Sequence, residues 1–224
     1  MNSEGSSPHP PARLTPIVSG TTAQPWRPLR AFTLVIALGL AVGILTVVGQ
    51  GALPGDWDTW ANSGAVWLAT AFFTGSFMPT DRAAAAAGVL LLVGAVVGYY
   101  ASVPLIVEGA AAGARSVIIW VIVALVGGPV FGVAGRWWRG DRPRRRIAAL
   151  GSLGGVFFAE GLDRLVRNPH LGTMGWTMMA VGVVVPWILG RTNGERLWSL
   201  AAELPVILAA LGAYWIINSA FLWR

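Results

Sequence analysis

Four ionisable residues stand together inside an otherwise apolar stretch: Glu160, Asp163, Arg164 and Arg167. Their spacing of i, i+3, i+4 and i+7 puts them on one face of a helix. Glu160 with Arg164 and Asp163 with Arg167 are i,i+4 pairs with the acid first, the favourable order along a helix. The surrounding stretch, 147–167, reads as a membrane-spanning helix centred near residues 156–157. Glu160 then sits about 5 Å from the middle at 1.5 Å per residue. An ionised acid near that depth costs on the order of 3 kcal/mol to insert, so it is expected to face the bundle interior, a wet cavity or Arg164. Two readings follow. Glu160, Asp163 and Arg164 form the floor of a polar vestibule that binds a solute, or they are structural ion pairs at a ragged helix end.

Two further polar segments sit at the same end of their helices and are candidates to line that vestibule. One is Trp60, Asn62, Ser63, Trp67 and the other is Trp215, Asn218, Ser219, Trp223. Asn62, Ser63, Asn218 and Ser219 can hydrogen-bond across helices or cap a terminus. Three spans contain a proline, which lacks an N–H and strands the carbonyl four residues earlier. Gly and Pro are commoner in membrane helices, where neighbours repair the backbone, and this is the favoured reading; Pro129, after Gly127 and Gly128, is the best candidate for an exception that makes a functional helix break. Pro186 and Pro205 are the others, and the carbonyls left over belong to Leu125, Gly182 and Ala201. Glu203, near the inner end of the last span, is expected to reach Arg196 or to snorkel to water. His170 reads as an exposed loop residue. No metal-ligand spacing, phosphate loop or nucleophile elbow occurs, so no catalytic residue, metal or cofactor is assigned and there is no positive case for an enzyme.

These groups need elements to hold them. Over half of the 224 residues are hydrophobic (55%) and only 12% are charged, about half the charged share of a soluble domain. The apolar residues come in long runs, which predicts membrane helices and not alternating barrel strands. Helices are expected at 31–50, 61–78, 83–103, 117–135, 147–167, 173–190 and 197–222. The expected fold is therefore an all-α polytopic transmembrane helical bundle of about seven helices at 31–224. It follows a tail at 1–30 whose Pro, Ser, Gly and Thr content predicts disorder. Glycines four apart (39/43, 94/98, 128/132, 151/155) predict close helix packing inside the bundle, with homo-oligomer contacts as the lesser alternative.

Charge orients the bundle. All sixteen basic residues are arginine. With the N-terminus in the cytoplasm, twelve fall inside and four (Arg115, Arg164, Arg167, Arg224) outside, as the positive-inside rule requires. The loop carrying Arg136, Arg139, Arg142, Arg144, Arg145 and Arg146 is expected to face anionic lipid headgroups or a protein partner, and nucleic acid is a poor fit because the arginines flank apolar segments. With no cysteine, disulfides and thiolate chemistry are excluded.

The ordered run of Trp60-Ala61-Asn62-Ser63-Gly64-Ala65-Val66-Trp67, Gly98-Tyr99-Tyr100, Gly128-Pro129-Val130-Phe131-Gly132 with Gly135-Arg136-Trp137-Trp138-Arg139, and Gly155-Val156-Phe157-Phe158-Ala159-Glu160-Gly161 is distinctive. It resembles an uncharacterised family, a domain of unknown function, of small polytopic bacterial membrane proteins, over about residues 31–222. That resemblance implies a multi-pass place in the cell membrane and no established activity. A weaker resemblance, carried by Ala37 and Ala41, is to substrate-binding components of energy-coupling-factor vitamin transporters, whose six helices differ from the seven expected here. The leading expectation is a non-enzymatic membrane protein that binds or moves a small solute. The alternative is a structural or regulatory membrane subunit that contacts lipid or a protein partner through its basic loop.

Overall fold

The computed structural model describes residues 26–107 and 113–222, with side chains for 30–107, 113–170 and 172–221. The expected N-terminal tail falls mostly outside the described residues, and so do Trp223 and Arg224. Among the described residues there is no strand. The helices are α1 (Trp26–Ala52), α2 (Asp58–Ala61), α3 (Gly64–Gly75), α4 (Asp81–Ile106), α5 (Ala114–Arg139), α6 (Pro143–Arg167), α7 (Gly172–Leu189) and α8 (Asn193–Leu222), with single 3-10 turns before α2 and α7. Five of them, α1, α4, α5, α7 and α8, are long and apolar enough to cross a membrane. The chain thus has the all-α membrane-protein build that its composition implies.

The boundaries have local causes. Thr80 caps α4 by accepting from the Ala83 N–H at 3.1 Å, and Asp81 in the first turn complements the helix dipole. Pro143 opens α6, where a missing N–H costs nothing. Thr192 accepts from the Glu195 N–H at 3.2 Å to start α8. Arg136 and Arg139 close α5 where the dipole favours a cation.

Between membrane helices there is no hydrophobic drive, so packing depends on how closely backbones approach. The paired glycines do this work. A Cβ on Gly132 would overlap the Ala84 carbonyl of α4, and one on Gly128 would lie 2.7 Å from the Val89 nitrogen. The pairs at 39/43 and 94/98 join α1 to α4, and 151/155 join α6 to α8. All four pairs therefore act within this chain. α1, α3, α4 and α5 form one group, with α4 between α1 and α5; α6 packs against both α7 and α8 to form the other, and the groups meet where α6 touches α5 and α3.

Two expectations need correction. The Gly127–Gly128–Pro129 segment does not break its helix: α5 runs unbroken from Ala114 to Arg139. Only one carbonyl loses its donor there, and the close seat of α4 on Gly128 holds the axis. The break lies instead in the second expected span. α2 ends at Ala61, the chain is extended at Ser63 (φ −93°, ψ 128°), and α3 restarts at Gly64. The twelve residues of α3 rise about 18 Å, well short of the roughly 30 Å of a hydrocarbon core. A helix starting inside the protein leaves N–H groups that water cannot reach, and these dictate the site.

Candidate functional site

The start of α3 points at Glu160. Glu160 is 1% exposed. Its Oε2 accepts from the Ala65 backbone N–H at 2.7 Å, the Ser63 hydroxyl at 3.0 Å and the Tyr214 hydroxyl at 3.0 Å. Its Oε1 accepts from Arg164 at 3.3 Å. Ser63 in turn accepts from the Val66 N–H at 3.2 Å and so caps α3. A carboxylate, a cap hydroxyl and a helix N-terminus thus complete one another: the dipole favours the negative charge, and the charge satisfies the orphan donors. The cluster ties α3 to α6 and α8 in one contact.

The sequence-derived candidates separate here. Glu160, Ser63 and Arg164 come together. Asp163 turns away to Arg167, at 2.6 Å, and that pair is more exposed. Asn62 lines a small adjoining pocket of about 150 Å³ whose walls also include Ser63, Gly64, Trp67, Tyr99 and Trp120. Asn218 and Ser219 lie about one turn beyond Tyr214, half-buried, outside the Glu160 hydrogen-bond set. Tyr214 was not singled out in the sequence, although a phenol in the middle of an apolar helix needs a partner for its hydroxyl.

Beside the cluster a cleft of about 670 Å³ lies between α5 and α8, with α3, α4 and α6 behind it. Gly64 and Tyr214 stand at its edge, where a Cβ on Gly64 would come 3.5 Å from the Tyr214 hydroxyl and 3.6 Å from Glu160. Its remaining walls are almost wholly apolar, among them Trp67, Trp120, Val156 and Ala213. Exposed Ile122, Val126 and Ile216 form a lateral mouth.

The basic end is also more structured than its sequence suggests. Asp81 accepts from Arg136 at 2.9 Å and Trp137 at 3.2 Å, and Arg145 approaches at 3.8 Å. Arg146, expected to face headgroups, is buried: it pairs with Glu195 and donates to the Gly140 carbonyl at 3.0 Å. The reason is that the acid at the start of α8 offers it a partner that lipid would not reach. Arg139, Arg142 and Arg144 stay exposed. Glu203 corrects another expectation, because Arg196 bonds Asn193 at 3.1 Å and the Gly190 carbonyl at 3.2 Å and leaves Glu203 alone. Among the described residues no group of three or more His, Cys, Asp or Glu is placed to hold a metal.

No curated protein and no solved structure matches the chain, so the likeness to energy-coupling-factor components has no support. A model described as a family of unknown function (DUF6518) matches residues 22–220, nearly the whole described bundle, and the chain belongs to that family.

Proposed function

We propose that this is a non-enzymatic, multi-pass protein of the cell membrane that binds a small apolar or amphipathic solute in the cleft between α5 and α8. The observation that carries this reading is the cleft itself. Its volume of about 670 Å³ lies within the usual range of small-molecule sites. Its apolar walls and lateral mouth suit a molecule arriving from the bilayer, and its edge offers the Tyr214 hydroxyl. The Glu160 cluster supports a solute of this kind over an anionic one. In transporters, the start of a broken helix receives anionic groups of the substrate, and here a carboxylate of the chain itself already fills that seat.

The accompanying topology is seven crossings with the N-terminus in the cytoplasm, α2 and α3 together making the second. The arginine asymmetry supports it, and so does the grouping of Arg136, Arg145, Arg146, Arg191 and Arg196 through mutual contacts with Asp81, Glu195 and the ends of α5 and α7. A reporter active only in the cytoplasm is expected to work at the N-terminus and within 140–142, and to fail at Arg224. Activity at both termini overturns the topology.

The binding test is thermal stabilisation of the purified protein against a panel of fatty acids, isoprenoids and other amphiphiles. A ligand at a hundred times its Kd stabilises the native state by about 2.7 kcal/mol. Ala210→Phe fills the cleft from α8 and is expected to abolish that stabilisation. A panel without a single stabilising compound, or stabilisation that persists in Ala210→Phe, refutes the reading.

A further inference from the structure

Where α6, α7 and α8 meet, a second acid is buried that the Glu160 cluster does not use. Glu203 on α8 is 3% exposed, and its Oε1 has no hydrogen-bond partner. Ser199, one turn earlier on the same helix, is fully buried, and its hydroxyl also has no partner. Across the interface Pro186 lies inside α7, so the Gly182 carbonyl has lost the N–H that would normally reach it. The Gly182 oxygen lies 2.7 Å from where a Cβ on Gly154 would stand, and Glu203 Oε1 lies closer still to the same point. The two oxygens are therefore separated by less than twice that distance. Gly154 leaves the space between them open.

Two acceptors facing each other across a buried gap repel unless a hydrogen-bond donor or a cation lies between them. Among the described residues no charged side chain is placed there. α7 carries no ionisable residue, and α6 carries none between Arg146 and Glu160. Those two are engaged, Arg146 by Glu195 and Glu160 by Arg164. On α8 itself, Arg196 is held by Asn193 and the Gly190 carbonyl. Glu203 lies ten residues into α8, about 15 Å along its axis, or half the thickness of a hydrocarbon core. An ionised carboxylate without a counter-ion is disfavoured at that depth.

We infer that Glu203, the Gly182 carbonyl and the Ser199 hydroxyl form an intramembrane proton-binding site. The proton resides on the Glu203 carboxyl, which donates it to the Gly182 oxygen, and Ser199 completes the polar lining. The inference is independent of what occupies the cleft. It gives the chain a group that can take up and release a proton within the membrane.

The test uses the full-length protein in liposomes. Infrared spectra of the wild type at neutral pH are expected to contain the C=O stretch of a neutral carboxylic acid, which disappears in Glu203→Gln. Dicyclohexylcarbodiimide adds to a neutral carboxyl in apolar surroundings: the acid proton passes to a carbodiimide nitrogen, and the carboxyl oxygen bonds to the central carbon. The adduct then rearranges to a stable N-acylurea. Peptide mapping is expected to find this adduct on Glu203, in falling yield as pH rises, and not on Glu160 or Glu195. Glu203→Gln preserves a donor toward Gly182 and is expected to fold with wild-type stability. Absence of the neutral-acid band from the wild type, or its persistence in Glu203→Gln, overturns the inference. Protection of Glu203 by sodium at constant pH also overturns it, because the site is then one for a metal cation.

Discussion

Replacing Glu160 with Gln is the most direct test of how the bundle is held. The substitution keeps volume and removes charge. Oε2 accepts from Ala65, Ser63 and Tyr214, all at 3.0 Å or less. A hydrogen bond to a charged acceptor contributes about 1.5–3 kcal/mol against about 0.5–1.5 for a neutral one. Neutralising the acceptor therefore removes roughly 1 kcal/mol per donor, about 3 kcal/mol in all. Arg164 adds less, because its bond is long at 3.3 Å and its side chain is 24% exposed. Screened by water, that pair contributes at most about 1 kcal/mol. The expected loss is about 3–4 kcal/mol, read from reversible unfolding in mixed micelles as helical circular dichroism falls with rising denaturing detergent. The double variant Glu160→Gln/Arg164→Gln is expected to recover no more than about 1 kcal/mol. A single-variant loss under about 1 kcal/mol refutes the ionised anchor. Near-complete recovery in the double variant shows that the ion pair, and not the start of α3, is what Glu160 serves.

Other substitutions probe separate parts of the argument. Ser63→Ala removes both the cap of α3 and a Glu160 donor, for an expected loss of about 1–2 kcal/mol by the same unfolding measurement. Gly132→Ala drives a methyl into the Ala84 carbonyl and is expected to cost about 1–3 kcal/mol. Gly212→Ala, where a Cβ would meet nothing, is expected to be neutral or slightly stabilising. Arg146→Ala leaves Glu195 buried without its partner and is expected to cost about 3–5 kcal/mol. The exposed pair Arg142→Ala and Arg144→Ala is expected to leave stability unchanged while weakening attraction to anionic vesicles by about 1 kcal/mol per residue. Equal effects on stability from Arg146 and its exposed neighbours would refute the inward placement.

The helices were legible because their signals are local. Except for the second expected span, which is broken at Ser63, the long apolar runs are helices within about five residues of their expected limits, and the glycine spacing marks the faces on which the helices meet. The break at Ser63 is not legible in the sequence, because a missing N–H such as that of Pro129 is a local signal and an extended residue stabilised from a distance is not. Ser63 leaves the helix because Glu160, 97 residues away, and its own bond to Val66 satisfy the amides that follow. No window along the chain contains that information. Arg146 shows the same limit: among its neighbours it reads as one more surface arginine, and only the fold brings Glu195 to it. Spacing along α6 predicts both ion pairs, Glu160 with Arg164 and Asp163 with Arg167, but it holds no information on the turn of Glu160 toward α3 and α8.

The two buried acids carry opposite implications for what the protein can bind. Glu160 meets four donors, and its charge is used within the fold, so the start of α3 is closed to a further anion. Glu203 meets a stranded carbonyl and an unpartnered hydroxyl, so its site lacks a positive species and not a negative one. Glu160 sits on α6 and Glu203 on α8, which packs against it. Gly154 and Gly155 press α6 against Glu203, while Glu160, six residues after Gly154, holds the start of α3. α3 and α8 are two of the walls of the cleft, so the fixed charge of Glu160 lies beside its edge, whereas Glu203 lies in another interface, among α6, α7 and α8.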